Sequence, residues 1–223
     1  MILHTTFVTY NRLHLTKKAI QSFLDTVTVP FSLAIVDNHS DDGTPAWASM
    51  TFYEDRVSEW LKARGHARPP QTEIVLLDEN RYPGAATNIG WSFVPPEATH
   101  LQRADNDMHF LPGWCEEVER TFARSNRIGQ VGLRTDAEEL HCSSNVGGNC
   151  VIIRKLWDMG LRWDERPWSE FPPGCSEDTY FSPAVVKFGR RWTRVSNPCL
   201  IDMATGDPDD PYYQKSYGDR RIW

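Results

Sequence analysis

The 223 residues are 40% hydrophobic and 24% charged, the proportions of a globular chain that can bury a core without disulfide or metal staples. A net charge of −6 argues against a general grip on nucleic acid, which is chiefly a Lys/Arg effect; an acidic chain that binds a diphosphate needs a cation between the two. Five cysteines, none spaced C-x-x-C, exclude a zinc ribbon or a disulfide frame on spacing and read as reduced, mostly buried thiols of a cytoplasmic protein.

The opening MILHTTFVTYNR lacks the charged and apolar regions of a signal peptide, and no apolar run approaches the ~20 residues of a membrane helix. Residues 2–8 predict a strand, broken by Thr9-Tyr10-Asn11-Arg12. Leu13, Ile20, Phe23, Leu24 and Val27 fall on one face and His14, Lys17, Lys18, Gln21 and Asp25 on the other, which predicts an amphipathic helix. Residues 31–36 predict a second strand, closed by the polar run 37–43. Trp47, Met50, Val57 and Leu61 mark a helix that Gly65 stops, and 68–71 is a connector.

Residues 73–77 predict a third strand. Ala85, Ala86, Ile89 and Phe93 predict a short helix after Gly84. Residues 99–104 predict a fourth strand, unusually polar in His100-Leu101-Gln102-Arg103-Ala104. Pro112 is placed to open a helix bearing Trp114, Val118 and Phe122. Beyond Gln130 the pattern loosens into strands near 130–134 and 149–153, a helix over 177–188, a strand near 192–201 and an irregular tail from Gly206. Strands alternating with helices predict one α/β domain with a mostly parallel sheet covered on both faces. Most of the nine tryptophans read as core packing, a few as a flat platform for a sugar or a base.

In open α/β sheets, ligands sit beyond the carboxyl ends of the strands. Asp37, Asp78 with Glu79, and Asp105 with Asp107 follow the second, third and fourth strands, so their mutual repulsion calls for a cation or hydrogen bonds. Two carboxylates one residue apart on a turn can share one hard cation, Mn²⁺ or Mg²⁺, although a D-x-D is also common by chance. Glu177 and Asp178 follow Ser176, an N-cap residue; acids in a first helical turn are also what the helix dipole favours. Gly84, Gly147 and Gly148 read as turn formers or as points of close backbone approach. His39, His100, His109 and His141 have no metal-like spacing and read as surface or loop residues.

The order of motifs resembles the family-2-like glycosyltransferases of the GT-A fold. Carrying residues are Thr9-Tyr10-Asn11-Arg12, Val36-Asp37-Asn38 with residues 40–44, and Asn80, Gly84, Asn88 and Gly90. Asp105-Asn106-Asp107, Pro112-Gly113-Trp114, Gly147-Gly148-Asn149 and Glu177-Asp178 follow in register. The resemblance implies a GT-A-type fold with a nucleotide-sugar-binding half (1–110), an acceptor and catalytic half (111–205) and a tail (206–223). It implies a metal-dependent inverting transferase that uses a nucleotide-diphosphate donor, a UDP-sugar by resemblance. Thr9 and Asp37 would meet the nucleobase and ribose, with Tyr10, Asn11 and Arg12 close by. Arg81, Gly84 and Asn88 would lie along the ribose and diphosphate. Asp105 would face ribose and metal, Asp107 would bind Mn²⁺ or Mg²⁺, and Gly147, Gly148 and Asn149 would lie under the donor sugar and acceptor. Asp178, or else Glu177, would be the base.

The chain departs from the family in one respect. Many relatives supply a late histidine as third metal ligand, and none follows His141 here; Asp202 or water would substitute. A nucleotidyltransferase is the competing enzyme, but it would show a Gly-rich basic loop after the first strand. A catalytically inactive nucleotide-sugar-binding module is the competing non-enzyme. The acceptor is open between a glycan, a protein side chain, a small molecule and a hydroxymethylated base in DNA. The aromatic, Arg-containing tail (Tyr212, Tyr213, Lys215, Tyr217, Arg220, Arg221) is a frayed end or a lid. A monomer or small homo-oligomer is expected.

Overall fold

Strand β1 (Leu3–Thr9) is buried along its whole length although it contains His4, Thr5, Thr6 and Thr9. Polar groups in a buried central strand normally find partners, and here all but the Thr6 hydroxyl do. His4 bonds Ser32 Oγ at 2.7 Å and the Gly90 carbonyl at 2.9 Å, Thr5 donates to Gln102 Oε1 at 2.9 Å, and Thr9 donates to Asp37. These bonds tie β1 to its neighbours on both sides. The computed structural model describes residues 1–52, 71–135 and 145–204.

β2 (Phe31–Asp37) and β4 (His100–Asp105) flank β1 in parallel, and β3 (Thr72–Leu76) adds in parallel outside β2. β7 (Cys150–Ile153) runs antiparallel to β4 and to β6 (Ile128–Gly132), and β8 (Arg191–Arg194) is parallel to β6. The order is β3-β2-β1-β4-β7-β6-β8, and β5 (Met108–Phe110) with β9 (Leu200–Asp202) forms a separate ribbon. The predicted mostly parallel sheet is present.

Among the described residues the α-helices are α1 (Leu13–Thr26), α2 (Thr44–Phe52), α3 (Tyr82–Trp91), α4 (Trp114–Ala123), α5 (Arg154–Asp158) and α6 (Glu177–Lys187). One face of the sheet packs Phe7 against Phe23, Phe110 and Trp114 from α1, β5 and α4. Phe7 and Phe23 meet edge-to-face at 5.5 Å, a geometry that adds about 0.5–1.5 kcal/mol to burial. The other face packs Leu101 and Ile152 beneath Trp91, Leu156, Trp163, Phe181 and Val185. Side chains alternate along a strand. Leu101 therefore puts Arg103 and Asp105 on the Trp163 and Phe181 side, and this register builds the site.

Several sequence expectations shift. The strand predicted near 192–201 is two strands in two sheets. Ser196 and Asn197 donate their backbone N–H groups to Glu117 instead of to a ladder, and Pro198 has none to give. Pro112 precedes its helix, and Gly113 is the N-cap at φ 86°, a left-handed conformation that suits glycine. His100 and His109 lie on β4 and β5, not in loops. Val57, Leu61, Gly65, His141 and the tail from residue 206 lie outside the described residues. Among the described residues no helix is long and apolar enough to cross a membrane, and Cys115, Cys150, Cys175 and Cys199 are unpaired thiols.

Candidate active site

β1, β2 and β4 end at one edge, where register pairs Thr9 with Asp37 and Val8 with Asp105. Asp37 accepts from Thr9 Oγ1 at 2.9 Å, from Ser40 Oγ at 2.6 Å and from Ser40 N at 2.9 Å, so it organises the loop after β2. Among the described residues, the non-glycine positive-φ positions are Asn11, Arg12, His39 and Tyr82. All four leave the carboxyl ends of β1, β2 and β3. Such conformations cost roughly 1–3 kcal/mol each and gather where function over-determines the backbone. Side-chain amides stitch these loops together. Asn11 accepts from Asp41 N, and Asn38 donates to Asn80 and accepts from Arg81 N. Tyr10 and Arg81 reach the surface of this edge.

Asp105 is clamped by Asn149. The Asp105 N–H donates to Asn149 Oδ1 and Asn149 Nδ2 donates back to Asp105 Oδ2, both at 2.9 Å. The turn below is held by Asn106, which donates to the Asn11 carbonyl and to Thr16. Asp107 accepts from Arg12 Nη1 at 3.0 Å. Burial pushes the Asp107 carboxyl up to about 7, and Asp105 and Asp202 add to the rise against the pull of Arg12. Asp202 pairs with Met108, the residue after Asp107, on the β5–β9 ribbon, and Met203 N donates to the Asp107 carbonyl. It does not complete a ligand set: among the described residues no three His, Cys, Asp or Glu side chains gather closely enough to hold a metal. Asp105 and Asp107 nonetheless fit a hard cation. They are oxygen donors with crowded negative charge that burial leaves poorly solvated, and water and diphosphate can fill the remaining positions.

The residue that joins this pair to α6 is Arg103, which no motif pointed to. The signal was the polarity of the fourth strand. Arg103 is 3% exposed. Its Nε donates to Asp105 Oδ1 at 3.2 Å, and its Nη1 donates to Glu177 Oε1 and Asp178 Oδ1, both at 3.0 Å. Its guanidinium carbon lies 4.7 Å from the centre of the Trp163 ring, which stacks on Phe181 at 3.7 Å. Burial works against the charge, but Asp105, Asp178 and Glu177 outweigh it and hold Arg103 cationic.

Ser176 caps α6, its N–H donating to Thr179 Oγ1, so Glu177 and Asp178 open the first turn as expected. Their environments differ. Glu177 has a 4% exposed side chain and also accepts from Trp168 Nε1 at 3.0 Å; Asp178 is 26% exposed. Burial pushes Asp178 up to about 7, Arg103 opposes that rise, and Glu177 and Asp105 reinforce it.

Two residues expected near the donor have protein partners. Asn88 is buried, donates to the Trp163 carbonyl and Glu165 Oε1, and accepts from Trp163 N. Its amide braces the segment 163–165. Gly84 meets protein: a Cβ there would lie 2.0 Å from the Asp164 carbonyl oxygen.

Residues 7–141 match the family described as Glycosyl transferase family 2. The chain belongs to that family. No curated protein sequence matches it. Among solved structures, this family 2 chain is similar to the mannosyltransferase PcManGT from Pyrobaculum calidifontis in complex with GDP-Man and Mn²⁺. The TM-score is 0.71 at 14% identity, over 98% of this chain and 60% of that one. It is also similar to S. aureus TarS 1–349, with TM-score 0.66 at 12% identity over 92% and 61% of the two chains. TarS 1–349 in complex with UDP-GlcNAc gives 0.66 at 11% identity over 100% and 66%. The likeness establishes the GT-A fold. The family 2 chain spans about three fifths of the length of the first two of these neighbours.

Proposed function

We propose that the chain is an inverting glycosyltransferase that moves a sugar from a nucleotide-diphosphate donor, a UDP-sugar, to an acceptor hydroxyl, with Mn²⁺ or Mg²⁺ at Asp105 and Asp107. Family membership supports the reaction class. Neighbours captured with GDP-Man and Mn²⁺ and with UDP-GlcNAc support the donor class. The observation that carries the reading is the single guanidinium of Arg103 bonded both to Asp105 and to Asp178. A donor-side acid and an acid in the first turn of α6 thus stand on one cation.

In this reading Asp178 is the base. It is more open than Glu177, and burial with the nearby Glu177 and Asp105 carboxylates raises its proton affinity above that of a free carboxylate, against the pull of Arg103. It takes the acceptor hydroxyl proton as the oxygen bonds the anomeric carbon and the bond from that carbon to the diphosphate breaks. A divalent ion would offset charge on the leaving diphosphate. Asn149 fixes the Asp105 carboxylate in one orientation, and Arg12 holds Asp107. Thr9, Asp37, Tyr10, Asn11 and Arg81 ring the strand ends on the nucleoside side. Residues 1–110 form the donor half and 111–205 the acceptor half. The test is nucleotide release and thermal shift with UDP-, GDP- and TDP-sugars under Mn²⁺, Mg²⁺ and EDTA. A fold that no nucleotide stabilises under any metal rejects the proposal.

A further inference from the structure

Trp168 stands apart from the other described tryptophans. Trp91, Trp114 and Trp163 are fully buried, whereas Trp168 is 44% exposed, on the 3-10 turn Trp168–Glu170. An exposed indole usually moves freely. This one is pinned: its Nε1 donates to Glu177 Oε2 at 3.0 Å, and its ring lies 5.8 Å from that of Tyr82. Glu177 adjoins Asp178 in sequence, and Arg103 Nη1 bonds both. A half-open aromatic face is therefore held in one orientation next to the proposed base. Fixing a side chain beforehand removes an ordering cost from binding.

The surrounding charge selects the ligand. Beside Trp168 the carboxylates of Glu177 and Asp178, which lie outside the proposed cation site, share the single guanidinium of Arg103 among the described ion pairs. Carboxylates accept hydrogen bonds from hydroxyls and repel phosphates. A pyranose offers hydroxyls at its rim and polarised C–H bonds on its face, and those bonds suit the negative face of an indole. A nucleobase would stack as well, but its phosphates meet carboxylates here, on a chain of net charge −6.

The geometry points to Trp168 as the platform of an acceptor subsite that takes a neutral pyranose, an inference that rests on the glycosyltransferase reading of the same site. Saturation-transfer NMR tests it on the full chain with UDP and Mg²⁺. Probes are methyl β-D-glucopyranoside, methyl β-D-galactopyranoside, methyl α-D-mannopyranoside and a short DNA duplex containing 5-hydroxymethylcytosine. At least one glycoside receives saturation on the C–H bonds of a single ring face. Trp168→Ala weakens that glycoside about tenfold and Trp168→Phe less, the size expected of one aromatic contact. A melting curve establishes that each variant is folded.

No saturation of any glycoside, equal saturation in wild type and Trp168→Ala, or binding of the duplex in place of the sugars each overturns the platform. The UDP resonances on wild type separate the two readings. UDP saturation without sugar saturation rejects the platform alone, whereas no saturation of UDP, GDP or TDP under Mg²⁺ or Mn²⁺ rejects the donor site with it.

Discussion

Gly148 has no side chain where the Arg103 guanidinium passes: a Cβ built there would lie 2.8 Å from both the guanidinium carbon and Nη2. The glycine expected to lie beneath a donor sugar thus seats the buried cation. Arg103 cannot yield easily, because Trp163 and three carboxylates hold it on its other sides. Gly148→Ala is expected to destabilise by about 1–3 kcal/mol, as overpacking does. For a chain of this size that lowers the melting temperature by roughly 2–4 °C per kcal/mol. Transfer falls as well, because Asp105 and Asp178 lose their shared partner. A melting curve and rate equal to wild type would show that Arg103 is not packed as described.

Glu177 and Asp178 separate by mutation. Asp178→Asn keeps the shape, retains nucleotide binding and lowers transfer by roughly 10²–10⁴, the usual worth of a general base. Glu177→Gln instead disturbs a buried acceptor of both Arg103 and Trp168, so it costs stability first. Steady-state rates beside thermal melts distinguish them. Full transfer by Asp178→Asn would move the base elsewhere.

The parallel half of the fold was legible because each strand ends in a polar loop and α1 shows its period; α2 does not, and Met50, expected on its apolar face, is 72% exposed. Acids after strands two and four, and the Ser176 cap, located the carboxyl edge and the first turn of α6. Arg103 was not legible as a site residue. A lone arginine in a strand has no spacing to read, and its partners lie 2, 74 and 75 residues away. The contacts of Asn88 and Gly84 with the backbone of 163–165 were not legible either, because that segment has no periodicity. The late strand was drawn as one because nothing local revealed that Glu117 would claim the N–H groups of Ser196 and Asn197.

Metal linkage is expected to pass through Asp107. Wild type with UDP and Mn²⁺ gains stability over the same sample in EDTA, by about 2.7 kcal/mol when ligand stands at a hundred times its Kd. Asp107→Asn removes one anionic oxygen ligand and leaves Arg12 only a neutral amide oxygen at that position, so the metal-dependent part of the shift disappears. Thermal shift across a Mn²⁺ titration is the measurement. An undiminished metal response in Asp107→Asn would assign the ion to other ligands.

His100 supplies a pH dependence on the far side of the sheet from the strand ends. Its ring packs 4.8 Å from Phe122 and its Nδ1 lies 2.8 Å from Thr99 Oγ1. Burial, with the nearby N-terminal ammonium, lowers it from 6.5 to about 4, against a smaller pull from Glu119. The folded state therefore binds the proton more weakly than the unfolded one. The neutral ring contributes its full stability above pH 6.5, and that stability is lost as pH falls from 6.5 toward 4. At about 1.4 kcal/mol per pH unit the loss approaches roughly 3 kcal/mol. Asp107 and Asp178, raised from 3.8 to about 7, tilt the curve the other way across the same window, since their stabilisation is lost as pH rises. The quantity to read is thus the difference between wild type and His100→Gln in urea melts from pH 7 to pH 5. That difference shrinks steadily toward acid if His100 is the neutral, buried group described; a constant difference would mean that its ring takes up a proton equally well in both states.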